Sequence, residues 1–329
     1  MTRELSIIIP TYGRSAKLQT LLSSIGTTTS DHDAFEVIVV VDGRDEAPLR
    51  AASVLPASIR FVGLTKDHAG PAAARNVAIE HARGDWLLFY NDDARVDEKT
   101  IDGHLQWIHS SDGSTDAHLG GVNWPDELID SPWRVLLAES SMLFFWEHMI
   151  SGGTYGFRHF WTINLSVRRD LVCRVGGFDE GFPSAIHEDI ELGWRLHRQF
   201  GLEVCVDTAI GCLHDHALAP RDYFLREHKS GASARAAAAI NPAFHAEVWN
   251  WVDDAESMHR SLTLLSSRSG RDVLNLLESW AEPSARRPSA EELRAAYLAH
   301  LPLKRMAFLQ GYLGHRFEEF WLGLSPGPS

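Results

Sequence analysis

Leu5-Ser6-Ile7-Ile8-Ile9-Pro10-Thr11-Tyr12-Gly13-Arg14 is the stretch on which the fold is decided. A short apolar run, β-branched at its centre, stops at a proline and gives way to hydroxyl, aromatic and basic side chains. Such a run reads as a strand buried on both faces of a parallel sheet, with polar groups just beyond its carboxyl end. Two later segments repeat the form: Phe35 to Val41 is followed by Asp42-Gly43, and Trp86 to Tyr90 by Asn91-Asp92-Asp93. Ile59 to Leu64 reads as a further strand. Between the runs, Leu18, Leu21, Leu22 and Ile25 keep amphipathic helical spacing, with Gly26 placed to end the helix. Gly70-Pro71 opens an alanine-rich helix that reaches Arg83-Gly84. Strand alternating with helix over residues 5 to 110 predicts a doubly wound α/β sheet.

Farther along, Phe160 to Val167 and Val204 to Leu213 read as strands and His187 to Phe200 as a helix, expected to complete the same mixed sheet. Beyond Ala232 the chain is rich in Ala, Leu, Glu and Arg, with an interruption at Pro283 to Pro288. The expected division is a catalytic domain over residues 1–230 and a C-terminal helical extension over 231–329, with a frayed tail at Ser325 to Ser329. Leu303, Met306, Leu309, Leu313, Phe317, Phe320 and Leu324 form a helical stripe. It can pack within the chain, pair with a second copy as a homodimer, or rest on a membrane.

Composition narrows the field. The 329 residues carry a formal charge of −13, so the basic footprint that a nucleic-acid partner requires is missing. Apolar content of 44% and charged content of 23% are those of a globular protein rather than a disordered or fibrous one. Cys173, Cys205 and Cys212 are too few and too irregular for a disulfide framework, which fits a reducing compartment. Runs such as Val37 to Val41 or Met142 to Trp146 fall far short of the ~18 apolar residues of a membrane span. A cytoplasmic protein is expected, one that can still meet a lipid-linked substrate as a peripheral visitor at a membrane surface.

Ligands of an open α/β sheet sit beyond the carboxyl ends of its strands, so the residues there carry the chemistry. Asn91-Asp92-Asp93 suits Mg²⁺ or Mn²⁺ shared with a diphosphate, and equally suits a turn or helix cap. Gly70-Pro71 offers helix-start N–H groups to an anion, with Arg75 adding charge, or is a plain helix start. Asp189, Leu192, Leu196 and Phe200 share one helix face, which puts the Asp189 carboxylate at the positive end of a helix. There it serves as a general base or merely complements the dipole. His214 and His216 flank Asp215 and can supply imidazoles to a metal, although most of the seventeen histidines have no such role. Trp124, Trp133, Trp146 and Trp161 lie in the half that shapes an acceptor site, with core packing the commoner use; Trp161, three residues before Asn164, is singled out.

Together these strand ends and acidic motifs resemble the family 2 glycosyltransferases of GT-A fold over residues 4 to 230. The resemblance rests on Ser6 to Tyr12, Val39 to Gly43, Gly70 to Asn76, Gly84 to Phe89, Asn91-Asp92-Asp93, Asn164-Leu165-Ser166, Gly176 to Asp179 and Glu188-Asp189, in the family's order. It implies inverting transfer of a sugar from a nucleotide-diphosphate sugar, UDP- or dTDP-linked, to a hydroxyl of a carbohydrate, lipid-linked or other acceptor. A divalent metal, Mn²⁺ or Mg²⁺, is implied on the diphosphate.

By the same resemblance Pro10, Thr11, Tyr12 and Asp42 hold nucleobase and ribose, and His68 stands where the family often has Asn. Arg14 and Asp92 join that nucleotide-sugar set, and Arg75 lies near the base or diphosphate. Asn91 replaces the first Asp of the Asp-x-Asp motif and bonds a ribose hydroxyl, whereas Asp93 keeps the metal position, with His214 and His216 as further ligands. Asp189 is the implied base, with Glu188 and His187 placed to touch the acceptor or donor sugar.

Other classes compete for the same sheet. A nucleotidyltransferase opens with a Gly-rich basic loop after its first strand, where this chain has Thr11-Tyr12-Gly13-Arg14. A metal hydrolase built on His214 and His216 requires a third close ligand. A non-catalytic nucleotide-sugar-binding protein has no use for an ionised carboxylate opposite its nucleotide.

Overall fold

The structure is a computed structural model that describes residues 4–111, 116–144, 149–284 and 286–324. Trp146 and the tail 325–329 lie outside the described residues. Two compact units emerge, the first comprising Met1–Asn123, Met149–Glu180 and Glu188–His216, the second Trp124–His148, Gly181–His187 and Ala217–Ser329.

The first unit holds the sheet. Its strands are β1 (Leu5–Thr11), β2 (Phe35–Asp42), β3 (Arg60–Lys66), β4 (Trp86–Phe89), β5 (Ala94–Val96), β6 (Ala117–Asn123), β7 (Thr154–Tyr155), β8 (Leu165–Arg168) and β9 (Val204–His214). They run in the order β3-β2-β1-β4-β8-β6-β9-β5, with β7 beside β9. Every residue of β1 and β2 is buried, as the near-continuous apolar runs require of strands covered on both faces. The strands β3, β2, β1 and β4 are parallel, and β8 pairs antiparallel to β4, which makes the sheet mixed. The order reverses at β1: β2 lies on one side and β4 on the other. A crevice therefore opens where Thr11 to Arg14 and Tyr90 to Asp93 leave the sheet.

The expected strand from Phe160 begins only at Leu165. The reason is local bonding. Phe160, Trp161 and Ile163 donate their N–H groups to Phe157, His159 and Trp161, so none is available for a ladder. The strands β5 and β7, three and two residues long, are too short for periodicity to announce.

The helices are α1 (Ser15–Ile25), α2 (Pro71–His81), α3 (Thr100–Ser110), α4 (Pro132–Glu139), α5 (Arg169–Arg174), α6 (Glu188–Phe200), α7 (Pro220–Ile240), α8 (Pro242–Val248), α9 (Ala255–Trp280), α10 (Ala290–Leu313) and α11 (Phe317–Leu324). In α1 the expected stripe, Leu18, Leu21, Leu22 and Ile25, is fully buried. From α3, His104 reaches a closed polar network: one ring nitrogen meets Asn164 Oδ1 and the other Ser166 Oγ, each at 3.0 Å. His118 lies 3.2 Å away and is stacked on Trp107. Burial keeps both imidazoles neutral, lowering His104 to about 4 and His118 to about 2.

The second unit is built on α4 and α7 to α11. Its core gathers Trp133, Tyr223, Phe224, Leu274, Leu277, Leu303, Phe317 and Phe320. The stripe read from sequence is used here, since Leu303, Met306, Leu309, Phe317 and Phe320 are all buried within the unit. Internal packing thus uses five residues of the stripe. A left-handed Gly314 (φ 84) ends α10 and turns the chain into α11, splitting the stripe between two helices. The helix α7 runs unbroken through residue 230. It meets α10 at Gly231 and Gly311, where a Cβ would stand 1.8 Å from the Phe308 and His228 carbonyl oxygens, so only glycine admits this approach. Among the described residues no helix is long and apolar enough to cross a membrane.

Candidate active site

Four side chains of the first unit meet beyond the ends of β1 and β4. Thr11 Oγ1 donates to Asp92 Oδ2 at 2.8 Å. The Arg14 guanidinium bridges Asp92 Oδ1 at 3.1 Å and Asp93 Oδ2 at 2.8 Å. Both carboxylates are buried, whereas Arg14 remains half exposed. Burial pushes Asp92 above its ordinary value despite Thr11 and Arg14. At Asp93 burial also works upward, yet His214, His216 and Arg14 hold the carboxyl well below the usual range.

Antiparallel pairing of β5 with β9 brings the imidazoles to this carboxylate. Ala94 sits opposite His214, and the Asp215 N–H donates to the Asp93 carbonyl at 2.7 Å. His214 Nε2 and His216 Nδ1 each stand 3.5 Å from an Asp93 oxygen, and the two rings stack at 5.3 Å. One ligand atom from each of Asp93, His214 and His216 lies within 4.8 Å of the others. A divalent cation fits this set on three grounds: one carboxylate and two imidazoles converge, the atoms are spaced for a shared ion, and a guanidinium already occupies the cationic position. Between the histidines, Asp215 is fixed by Lys17 at 2.5 Å and Arg95 at 2.5 Å, locking the His-x-His geometry. Sequence reasoning missed Lys17 and Arg95, for no local pattern marks either one.

Asp42, expected at the ribose, has protein partners of its own. Its oxygens accept the N–H groups of Ala69 (2.9 Å) and Gly70 (2.8 Å), and Lys66 Nζ approaches at 3.2 Å. Burial raises its pKa, but these donors outweigh it and leave the carboxyl below its ordinary value. The anion that meets the α2 start is thus Asp42 itself, and Gly70 (φ 96) supplies the backbone conformation the turn needs. Above it, Tyr12 stacks on His68 at 4.5 Å, both rings largely exposed. Pro10 and Thr11 are buried, so of the strand-one residues Tyr12 presents the open aromatic face.

Arg75, expected near the base or diphosphate, is buried among protein partners. Only 3% exposed, it donates to Glu188 Oε1 at 2.8 Å and Asn91 Oδ1 at 3.2 Å and lies over the Phe178 ring. Asn91 and Glu188 are thereby committed to protein partners, and Glu188 is 2% exposed. Asp189 is the partly exposed member of the acidic pair. Its oxygens accept from Ile190 N at 2.8 Å and Thr162 N at 3.4 Å. Burial pushes both Glu188 and Asp189 above ordinary carboxylate values, and Arg75 pulls each back in part. Trp161, half-buried, donates its indole N–H to the Arg158 carbonyl one residue before Thr162. In the second unit, His187 has Ser230 and Trp249 as neighbours.

A mixed sheet of this order, with a carboxylate and two imidazoles at its strand ends, is the GT-A fold. Residues 6–165 match the family model described as glycosyl transferase family 2. It is 28% identical over 219 residues to the validoxylamine A glucosyltransferase of Streptomyces hygroscopicus subsp. jinggangensis, covering 59% of this chain and 51% of that one. To the pre-mycofactocin glycosyltransferase of Mycobacterium tuberculosis it is 27% identical over 253 residues, covering 73% and 48%. The chain therefore spans about half the length of these curated relatives. A solved mannosyltransferase, PcManGT from Pyrobaculum calidifontis in complex with GDP-Man and Mn²⁺, superposes with a TM-score of 0.59 at 18% identity. That match covers 95% of this chain and 88% of that one, and the likeness is one of fold.

Proposed function

We propose that the chain is an inverting, divalent-metal-dependent glycosyltransferase. It takes a sugar from a nucleotide-diphosphate donor and gives it to a hydroxyl of a carbohydrate, lipid-linked or other acceptor, on the cytoplasmic side. The observation that carries this reading is the convergence of Asp93, His214 and His216 at the strand-end crevice, in a unit that also presents Asp189 partly open at the start of α6. Sugar transfer by the named relatives supports it, as does the Mn²⁺ and GDP-Man complex of the fold neighbour.

In this reading Asp93, His214 and His216 hold the cation, which when bound neutralises the charge of a departing diphosphate. Two imidazoles favour Mn²⁺ over Mg²⁺, because Mg²⁺ takes oxygen ligands almost exclusively. Tyr12 and His68 offer exposed ring faces to a nucleobase, and Asp42 stiffens the loop that carries His68. Arg14, displaced from the carboxylates by the cation, is free to meet a phosphate. Asp189 accepts the acceptor's proton as the hydroxyl attacks the anomeric carbon opposite the diphosphate, which inverts that centre. Trp161 beside Thr162 lends an aromatic surface to the acceptor sugar. Arg75 and Glu188 act as a buried brace rather than as substrate contacts. A nucleotidyltransferase is not favoured, since the relatives named above are glycosyltransferases.

The test is a thermal-shift panel of UDP-, dTDP- and GDP-sugars with and without Mn²⁺. One base is expected to raise the midpoint only when Mn²⁺ is present, by mass action on the folded state. A panel with no metal-dependent shift overturns the reading.

A further inference from the structure

Arg75 touches both acidic motifs of the first unit. From α2 its guanidinium donates through Nη1 to Glu188 Oε1 at 2.8 Å, at the start of α6, and through Nη2 to Asn91 Oδ1 at 3.2 Å, one residue before Asp92. Phe178 backs it, with a ring centre 5.4 Å from Cζ, and packs edge-on against Phe89 of β4. The bridge therefore runs from α2 to α6 and to the end of β4 within one unit. A guanidinium suits the place, because its fixed fork reaches two acceptors at once.

Burial leaves the bridge unfinished. Arg75 Nε and Glu188 Oε2 have no hydrogen-bond partner among the described residues, and both side chains are out of water. A buried carboxylate oxygen without a donor disfavours charge on Glu188. One cation thus faces two neighbouring carboxyl groups, Glu188 and Asp189, which in low dielectric do not readily ionise together. Burial raises both, Asp189 adds to the rise at Glu188, and Arg75 draws each of them down. Other charged groups around α6 have partners of their own. Glu191 pairs with Arg195 at 2.9 Å, His159 Nδ1 sits 3.3 Å from the Gly156 carbonyl, Arg158 lies over Phe157, and Arg174 of α5 lies over Phe200.

We propose that Arg75 is a positioning residue of the transfer: it ties the start of α6 to the strand end that carries Asp92 and Asp93, keeps Glu188 inside the brace and leaves the negative charge to Asp189. The inference deepens the reading of Asp189 as the base and rests on it. Arg75 then acts through its charge and its grip on Glu188 and Asn91, without touching donor or acceptor.

Release of nucleoside diphosphate by the full chain, from the donor that the thermal-shift panel selects, is followed across pH with Mn²⁺. Arg75→Met is expected to move the acid limb of turnover up by about one pH unit or more, since a cation beside a carboxylate is worth about 1–3 pH units. Nucleotide affinity with Mn²⁺ is expected to stay within about twofold. Arg75→Lys restores the charge but not the fork, and is expected to return the limb toward its wild-type position. If Arg75→Met does not fold, Arg75→Met/Glu188→Gln removes the buried acid together with its partner, and the same upward shift is expected against Glu188→Gln alone. A limb that keeps its wild-type position without Arg75 overturns the inference. A loss of nucleotide affinity of about tenfold also overturns it, by making Arg75 a donor contact. Both outcomes leave the base reading standing as long as Asp189→Asn is inactive. Wild-type turnover in Asp189→Asn overturns the base assignment and the positioning role with it.

Discussion

Asp189→Asn is expected to lower kcat by about 10³-fold or more, the range in which removal of a general base falls, while nucleotide binding stays within twofold. The amide keeps the shape and, through its single oxygen, can still accept the 2.8 Å bond from Ile190 N, although it gives up the longer one from Thr162 N. The wild-type pH profile carries a second signature. Burial raises Asp189 and Glu188 above ordinary carboxylates, so the base becomes competent only above that range. Turnover should rise with pH through that limb and level off, and Asp189→Asn should lack the limb. Stability moves the other way. Through the same window the folded chain holds protons that the unfolded chain has released, so this pair stabilises most at low pH and less as pH rises. Asp189→Asn should accordingly not lower the thermal midpoint at neutral pH. Turnover near wild type in this variant would sink the assignment.

Asp93→Ala is expected to abolish the gain in nucleotide affinity that Mn²⁺ confers, by about 100-fold, with metal-free affinity unchanged. The variant leaves two imidazoles without their carboxylate and frees Arg14 from one of its two partners. Because Arg14 is half exposed, its lost ion pair costs little stability. Titration calorimetry with and without Mn²⁺ reads the difference directly. A variant that keeps the wild-type metal enhancement removes Asp93 from the site.

Much of this was legible because strand ends speak locally. The run Leu5 to Pro10 announced a doubly covered strand, and the polar residues after it marked the crevice. Asp93, His214 and His216 were readable as metal-ligating types although Asp93 lies 121 positions before the first histidine, yet only the β5 and β9 register shows how they meet. Burial was the illegible part. Nothing around Arg75 distinguishes a phosphate-facing arginine from one folded inward onto Glu188, because the partner lies 113 residues away. The same holds for Asp42, whose carboxylate looks like a ribose ligand until Ala69 and Gly70 claim it. The left-handed backbone at His187 (φ 76) had no signal either, since glycine is the residue a reader expects there.

Imidazoles held neutral by burial make this fold sensitive to acid. His104 and His118 lie in the first unit and His187 and His300 in the second, all held neutral by burial at values from about 2 to about 4. Once pH falls below about 6.5, the unfolded chain takes up protons at these four positions that the folded chain refuses. Each refused proton tilts the balance toward unfolding by about 1.4 kcal/mol per pH unit. With two such groups in each unit, neither is spared. Denaturant midpoints measured from pH 7 down to pH 5 should fall, by less than four protons' worth because Glu188 and Asp189 hold protons in the folded chain over the same window. Four of the seventeen histidines thereby tie the stability of the folded protein to pH.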